Sequence, residues 1–587
     1  MKRCIWFLFV FLAVSAWADN ISEGEALKMA QDFFQNSHSR LSVGNLKMVY
    51  DGETVASRAS GASPAFYVFN NPNGKGFVIV AGDDFAEPIL GYSYDYEFPE
   101  NNLPPNVEGW LAGLKRQIND GRKYGVLSKP SSKTVQSMGE VVKKLDTPLW
   151  NQGYPYNQYC PKIIGQHAPT GCVITAAAIV MRYHQWPEKG TGTLPEYTTS
   201  TKGIMVPGIE LGNVYNWKQM PYNYSDGKYT EEQAHEVARL MADLGVMSQV
   251  DYDLTGSGAV TSYLSRLLPI HMNYDKSSYT IFRDEYNEED WHQYMTQELS
   301  ENRPIIYSGS NEKSGHAFVL DGYTTNFYYS VNWGWGGSCN GYFLLNALLP
   351  HGSGIGGNED HYNYGQYAVV GLKPNEGGDY VERIYIGGTG LSTLTNPIVR
   401  NEPFILHTEE VRNRGYAPFI GEILWALTDK KGNIKEELRI FQLNEENPLD
   451  PGWGWSNFDI TITITAPIEI GDRIRLFFKS NKMTDWQLIK GGPECSWDLL
   501  VADEYTIEES TNLKYNKKAS TLLVQTKEGV DVQFMNGNGI VLADRCTNEG
   551  VQTTIRTEGL QAGVYKLKLK KTFESCEVKI RLGDSQE

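Results

Sequence analysis

Thr170-Gly171-Cys172-Val173-Ile174-Thr175-Ala176-Ala177-Ala178-Ile179-Val180-Met181 is the stretch on which the reading of this chain turns. No proline interrupts it until Pro187, and it is apolar on every side, so as a helix it has to be buried and central. Thr170 suits the N-cap position, which sets Cys172 in the first turn. A thiol there faces the positive end of the helix dipole, which favours the nucleophilic thiolate. Taken alone, the same residues suit a small buried core cysteine, which is what most free cysteines are. The rest of the chain has to decide.

A cysteine nucleophile needs a base to take its proton, a group to orient that base, and donors for the oxyanion. Ser314-Gly315-His316-Ala317 supplies a histidine where a strand begins. Its spacing from Cys172 falls within the roughly 130–150 residues that separate cysteine and histidine in papain-like proteases. Val331-Asn332-Trp333-Gly334-Trp335-Gly336-Gly337 follows. Asn332 is placed to hold the imidazole by a hydrogen bond, and Trp333 to shield that bond from water. Upstream, Trp150-Asn151-Gln152-Gly153-Tyr154 offers an amide. With the Cys172 N–H, Gln152 would make an oxyanion hole. Each piece alone passes as structural: His316 as a satisfied core histidine, the glycine-tryptophan run as a packed turn. Their order and spacing together favour a nucleophilic site.

Further motifs carry a resemblance. Gln166-His167-Ala168-Pro169 leads into Thr170-Gly171-Cys172-Val173, and Met181-Arg182-Tyr183-His184 follows. With Gly315-His316-Ala317-Phe318 and the Val331 to Gly337 run, the chain resembles the streptopain family of cysteine peptidases, and within it the interpain-like secreted enzymes with extra C-terminal domains. Asp251-Tyr252 with Gly256 to Ala259, and Tyr367-Ala368-Val369-Val370-Gly371, fit as well. The match covers Leu145 to Pro374. It extends more loosely to Gly76 to Asp83 and Ile89 to Tyr92, which resemble the family's propeptide, and it does not reach the C-terminal third.

The resemblance implies a papain-like fold made as an inactive zymogen. It makes Cys172 the nucleophile, His316 the general base and acid, and Gln152 an oxyanion donor. Either Trp333 or Asn332 orients His316, with Trp333 the favoured choice. Gly315, Ser257 and Gly258 would line the substrate cleft. Pro169 and the region of Leu254 depart from the family pattern, so subsite preference stays open. Cys160 and Cys339 flank the motifs, and a disulfide or a second reactive thiol there is open, as is the pairing of Cys495, Cys546 and Cys576. No metal or cofactor is required.

At 587 residues the chain is too long for one core. Residues 1–18 read as a signal peptide: Lys2 and Arg3 precede an apolar run too short to span a bilayer, and Ala16-Trp17-Ala18 has the small-x-small form of a cleavage site. A capping box at Ser22 to Glu25, a hairpin around Asn71 to Gly74 and a helix from Val107 to Ile118 make 19–138 an α+β propeptide domain, with an inhibitory role implied by the resemblance. It ends in a polar linker from Tyr124 to Lys144, with cleavage expected between Ser128 and Val141. Residues 139–375 form the α+β, papain-like catalytic domain, helices first and strands afterwards. Residues 376–505 read as an all-β, immunoglobulin-like sandwich, and 506–587 as a smaller β domain. The tail from Leu560 to Leu569 resembles C-terminal sorting domains of secreted bacterial proteins, though a plain β module fits equally.

A net charge of −17 argues against nucleic acid and anionic membranes as partners. The expectation is therefore a secreted, monomeric cysteine endopeptidase acting on proteins, with its own propeptide as inhibitor. Cell-surface association is left open. Two rivals stand beside it: a transglutaminase-like acyl transferase on the same fold, told apart by amidated products, and an inactive surface adhesin, told apart by the absence of turnover.

Overall fold

The structure, a computed structural model, describes residues 20–36, 45–50, 63–71, 76–100, 103–124, 139–310, 315–345, 366–395, 398–492, 495–501, 512–516, 520–526, 531–550, 552–561, 563–571 and 574–582. The proposed signal peptide, and the linker up to residue 138, lie outside them.

The N-terminal unit forms for local reasons. Ser22 caps the helix Glu23–Asn36 through the reciprocal pair its spacing predicts: Glu25 N–H donates to Ser22 Oγ, and Ser22 N–H to the Glu25 carboxylate. Strands Lys47–Tyr50, Phe66–Asn70, Phe77–Ala81 and Ile89–Ser93 form an antiparallel meander. The last three are buried at every residue, so both faces need cover. The first helix supplies it on one side, with Phe33 against Tyr92. The helix Pro105–Tyr124 supplies it on the other, starting on a proline, whose missing N–H costs nothing at that position.

The central helix spans Cys172–His184, and residues 173–181 are all buried, as their composition demands. Its N-cap is Gly171, which corrects the assignment of Thr170. Gly171 has φ 89°, and a Cβ there would meet Ser257 O at 2.6 Å, so only glycine fits. Thr170 sits one residue too early, and its hydroxyl pairs instead with Thr175 Oγ1 at 2.9 Å. Packed with this helix are Glu231–Met247, opened by a Thr230–Gln233 capping box, and Leu264–His271.

The strands of the second unit are all antiparallel. They run Tyr279–Phe282, Tyr367–Val370, Ile305–Ser310, Gly315–Thr324, Tyr329–Asn332 and Gly341–Phe343 across the sheet. At its edge Tyr342 pairs with Tyr92 and Phe343 with Gly91, so the N-terminal meander continues it into one eleven-stranded sheet. Side chains close the same seam. Trp110 lies 4.9 Å from the Phe343 ring and 6.1 Å from that of Trp333, in a core shared by both units. The linker is also shorter than its polarity suggests, because Val141–Lys144 pairs with Gly322 to Thr324 as a strand of the second unit.

Beyond residue 383 two antiparallel sheets face each other, as expected of an immunoglobulin-like sandwich. One is Ile384–Ser392, Pro403–Asn413 and Gly454–Thr463; the other is built on Gly421–Thr428, Ile434–Leu443 and Arg473–Ser480. Between them lies a core that includes Trp425, Leu406, Ile462 and Leu476. The last unit packs two smaller sheets over Val524, Phe534, Leu567 and Leu569.

Because Trp110 is nearly fully buried in the shared core, Trp110→Ala should weaken the seam by about 3–5 kcal/mol. Hydrogen exchange should then show residues 20–124 losing protection while the central helix keeps its own. Equal loss in both would mean that the two units form one indivisible core.

Candidate active site

Cys172 is the first residue of the central helix and is half-buried. The strand Gly315–Thr324 passes over the helix start so closely that Ala317 N–H donates to Cys172 Sγ at 3.4 Å. His316 is therefore the residue next to the sulfur's donor, held in register opposite Gly309, with Gly315 opposite Ser310.

Burial dominates the electrostatics here. It pushes the Cys172 thiol above its ordinary pKa, against backbone N–H groups of Ala317, Val173 and Cys172 that pull the other way. It also lowers the pKa of His316. Both shifts favour the neutral forms. The thiolate expected from the helix dipole is thus outweighed in this state, since taking a charge out of water costs more than a few amide dipoles return.

Gln152 reaches the same place from another segment. Its main-chain carbonyl accepts Thr170 N–H at 3.1 Å, which ties its turn to the residues just ahead of Cys172. The turn itself is set by Asn151, whose Oδ1 accepts Gln152 N–H at 2.7 Å. Among the described residues the Gln152 side-chain amide, though largely buried, takes no protein partner, which leaves its N–H groups available to a ligand atom.

Asn332 and Trp333 separate into different tasks. Asn332 is buried, its Nδ2 donates to Thr147 Oγ1 and to Pro148 O, and its Oδ1 accepts Gly334 N–H. Those bonds brace the entry to the second unit and the glycine turn, and none of them runs to His316. Trp333 Nε1 donates to Cys339 O, and its ring packs on Phe318, two residues beyond His316, at 4.8 Å. The glycines serve close approach. Gly334 and Gly336 have φ 73° and 66°, and a Cβ on Gly334 would press on Thr175 of the central helix at 3.0 Å. Gly336 N–H donates to Trp150 O, closing the loop back on the Gln152 segment.

Ser257 and Gly258 belong to a small hairpin in which Asp251 and Gly258 exchange main-chain hydrogen bonds. The Ser257 carbonyl faces Gly171, so the hairpin abuts the residue before Cys172. Cys160, Cys172, Cys339 and Cys546 are free thiols, so neither Cys160 nor Cys339 is held in a disulfide beside the motifs. Two contributors escaped the sequence reading. The Ala317 N–H carries no side-chain signal at all, and Thr147, the partner of Asn332, looks like any linker threonine.

Comparison with known proteins follows the same map. The Peptidase C10 family profile matches residues 150–343, and that of the Spi protease inhibitor matches residues 18–118. The thiol protease/hemagglutinin PrtT of Porphyromonas gingivalis is 30% identical over 510 residues, covering 84% of this chain and 57% of that protein. Streptopain of Streptococcus pyogenes is 36% identical over 377 residues, covering 60% of this chain and 92% of streptopain. Among solved structures, a fragment of prointerpain A from Prevotella intermedia is 30% identical with a TM-score of 0.46, covering 56% of this chain and 100% of the fragment. No helix among the described residues is long and apolar enough to cross a membrane.

The raised thiol pKa has a direct readout. In the intact chain, alkylation of Cys172 by iodoacetamide should be slow at pH 7 and rise only above the ordinary thiol range near pH 8.5–9. Cys160 and Cys339, with pKa values pushed up to about 12 by burial, should stay unlabelled throughout. Peptide mass spectrometry resolves the three sites, and fast labelling of Cys172 at pH 6 would contradict the burial argument.

Proposed function

This chain belongs to the streptopain family of cysteine peptidases, and on that premise we propose that it is a secreted endopeptidase held inactive by residues 19–138 until its own active site removes them. One observation carries the reading. The N-terminal unit completes the sheet that bears His316 and shares a core with Trp333, while Cys172 Sγ accepts a main-chain N–H. Stripping away a unit that fills both a sheet edge and a core requires the edge strand, Phe343 and Trp333 to resettle; Trp333 directly follows the strand beside the one that bears His316, and Phe343 lies one strand further out. Cutting the linker also turns an intramolecular contact into a bimolecular one, so the inhibitor loses its effective concentration.

In the released enzyme the chemistry follows from the residue set. The Cys172 proton passes to His316, and the thiolate attacks the scissile carbonyl. The Gln152 amide and the Cys172 N–H receive the oxyanion. His316 then gives its proton to the leaving amine, and a water molecule, deprotonated by the same imidazole, hydrolyses the acyl-enzyme. Protein substrates are the expected class, lying along the Ser257-Gly258 hairpin and Gly315. Residues 139–375 would be the mature peptidase, 376–505 and 506–587 its accessory β domains, and 1–18 the export signal. Because the relative PrtT is named a hemagglutinin as well as a thiol protease, adhesion by the β domains is a second reading, compatible with proteolysis.

Digestion of casein under reducing conditions tests the reading, with peptides hydrolysed and not amidated. Gln152→Ala should lower kcat on the order of 10²–10³-fold with folding intact, as loss of one oxyanion donor does. A variant with near-normal kcat would remove Gln152 from that role. Purified precursor should shorten by residues 19 to about 138, and Cys172→Ala should stay full length until active enzyme is added. Should the alanine variant process itself at the same rate, another protease does the cutting.

A further inference from the structure

The β-sandwich that follows the peptidase unit is not a loose appendage. Arg383, at its first strand, donates to Thr280 O at 2.5 Å, to the Glu285 carboxylate at 2.9 Å and to Tyr286 OH at 3.0 Å. Arg414 approaches the other oxygen of Glu285 at 3.2 Å, and Glu285 is almost wholly buried. Both guanidiniums also lie over aromatic rings, Arg383 over Tyr279 and Arg414 over Phe282 and Tyr385. Between Arg414 and the next strand runs a turn fixed by buried Asn413, which donates to Ala417 O and Leu449 O and accepts Gly415 N–H.

That turn presents Tyr416. Its hydroxyl donates to Thr280 Oγ1 at 2.8 Å and lies 2.5 Å from Ser265 Oγ. Ser265 and Thr280 are buried, and both reach Ser262 O, at 2.6 and 3.2 Å. Ser262 sits in the short turn Thr261–Tyr263, which follows directly on the Ser257-Gly258 hairpin against Gly171. The neighbouring Thr261 touches Ser308 at 3.5 Å, and Ser308 pairs with Ala317, the donor to Cys172 Sγ. One phenol from the sandwich therefore bonds the two hydroxyls that hold the carbonyl of Ser262 in the Thr261–Tyr263 turn.

We infer that Tyr416 is a positioning residue for substrate binding, through which the β-sandwich sets the Ser257 to Tyr263 wall of the peptidase cleft. The inference rests on the reading of Cys172 as the nucleophile. Residues on this wall would touch substrate in the ground state and the transition state alike. Loosening it therefore raises KM with little change in kcat. A purely structural tyrosine would lower the melting temperature and leave the KM of the folded enzyme alone.

The test is a double-mutant cycle in the full chain after activation, with Tyr416→Phe, Ser265→Ala and the pair, read on a peptide long enough to cross the cleft. Each single variant should raise KM about 3- to 10-fold, the equivalent of one buried hydrogen bond, with kcat within about twofold. The pair should match the singles and not multiply them, because both remove the same link. Lys482→Ala, which breaks an exposed ion pair with Asp379 on the same domain, serves as control and should change nothing. An inactive wild type overturns the peptidase reading and this inference with it. An active wild type whose Tyr416→Phe variant keeps its KM overturns the inference alone, whatever its melting temperature. Multiplicative effects of the two substitutions overturn it too.

Discussion

Two residue pairs, Tyr92 with Tyr342 and Gly91 with Phe343, hold the arrangement together. They turn what would be the open edge of the peptidase sheet into its interior. An unpaired edge presents N–H and C=O groups that water or another strand has to satisfy. Here the N-terminal unit satisfies them and lays its own apolar faces on the same surface. Gly91 is needed for this, since a Cβ there would stand 2.4 Å from the Phe343 ring. The seam is thus backbone pairing and core packing at once, and neither half survives without the other. The N-terminal unit thereby supplies part of the core beneath the strands beside the one that carries His316.

The state of the cysteine follows from the same burial. A helix N-terminus, with its free N–H groups, is a fair place for an anion. That advantage is modest, whereas desolvation of a thiolate is not, so burial raises the pKa of the thiol, whose sulfur accepts Ala317 N–H. The same trade governs His316, whose pKa burial lowers.

Much of this was legible in the sequence because it is locally encoded. The all-apolar run after Cys172 can only be a central helix, and Ser22 to Glu25 can hardly be anything but a capping box. Motif order suggested Gln152 and the resemblance suggested the Gly256 to Ala259 segment as neighbours of the cysteine, and the structure ties both to the residues just ahead of it. What stayed hidden is what local pattern does not carry. The pairing of Gly91 with Phe343 depends on an edge made by distant residues, and a three-residue strand at 341–343 has no periodicity to read. The N-cap was misassigned by one residue, because cap preference favours Thr170 while tertiary contact demands a glycine facing Ser257 O. Asn332 was a candidate for the imidazole because its neighbours in space, Thr147 and Pro148, are far from it in sequence.

The junction with the sandwich shows why a third unit comes to matter to a site it does not line. Glu285 is buried, which alone would push its carboxyl toward the neutral form, and Arg383 and Arg414 oppose that. A buried carboxylate between two guanidiniums is weak evidence for added stability, because desolvation offsets most of the attraction. It is strong evidence for fixed geometry, since any displacement leaves a charge without its partner. The cluster therefore acts as a locating pin, setting the sandwich at one angle and one height on the strand Tyr279–Phe282. With that fixed, the turn after Arg414 has only one place to put Tyr416, against Ser265 and Thr280 under the cleft wall. Rigid placement by buried charge and fine adjustment by a single hydroxyl are separable tasks, and the chain assigns them to residues two apart.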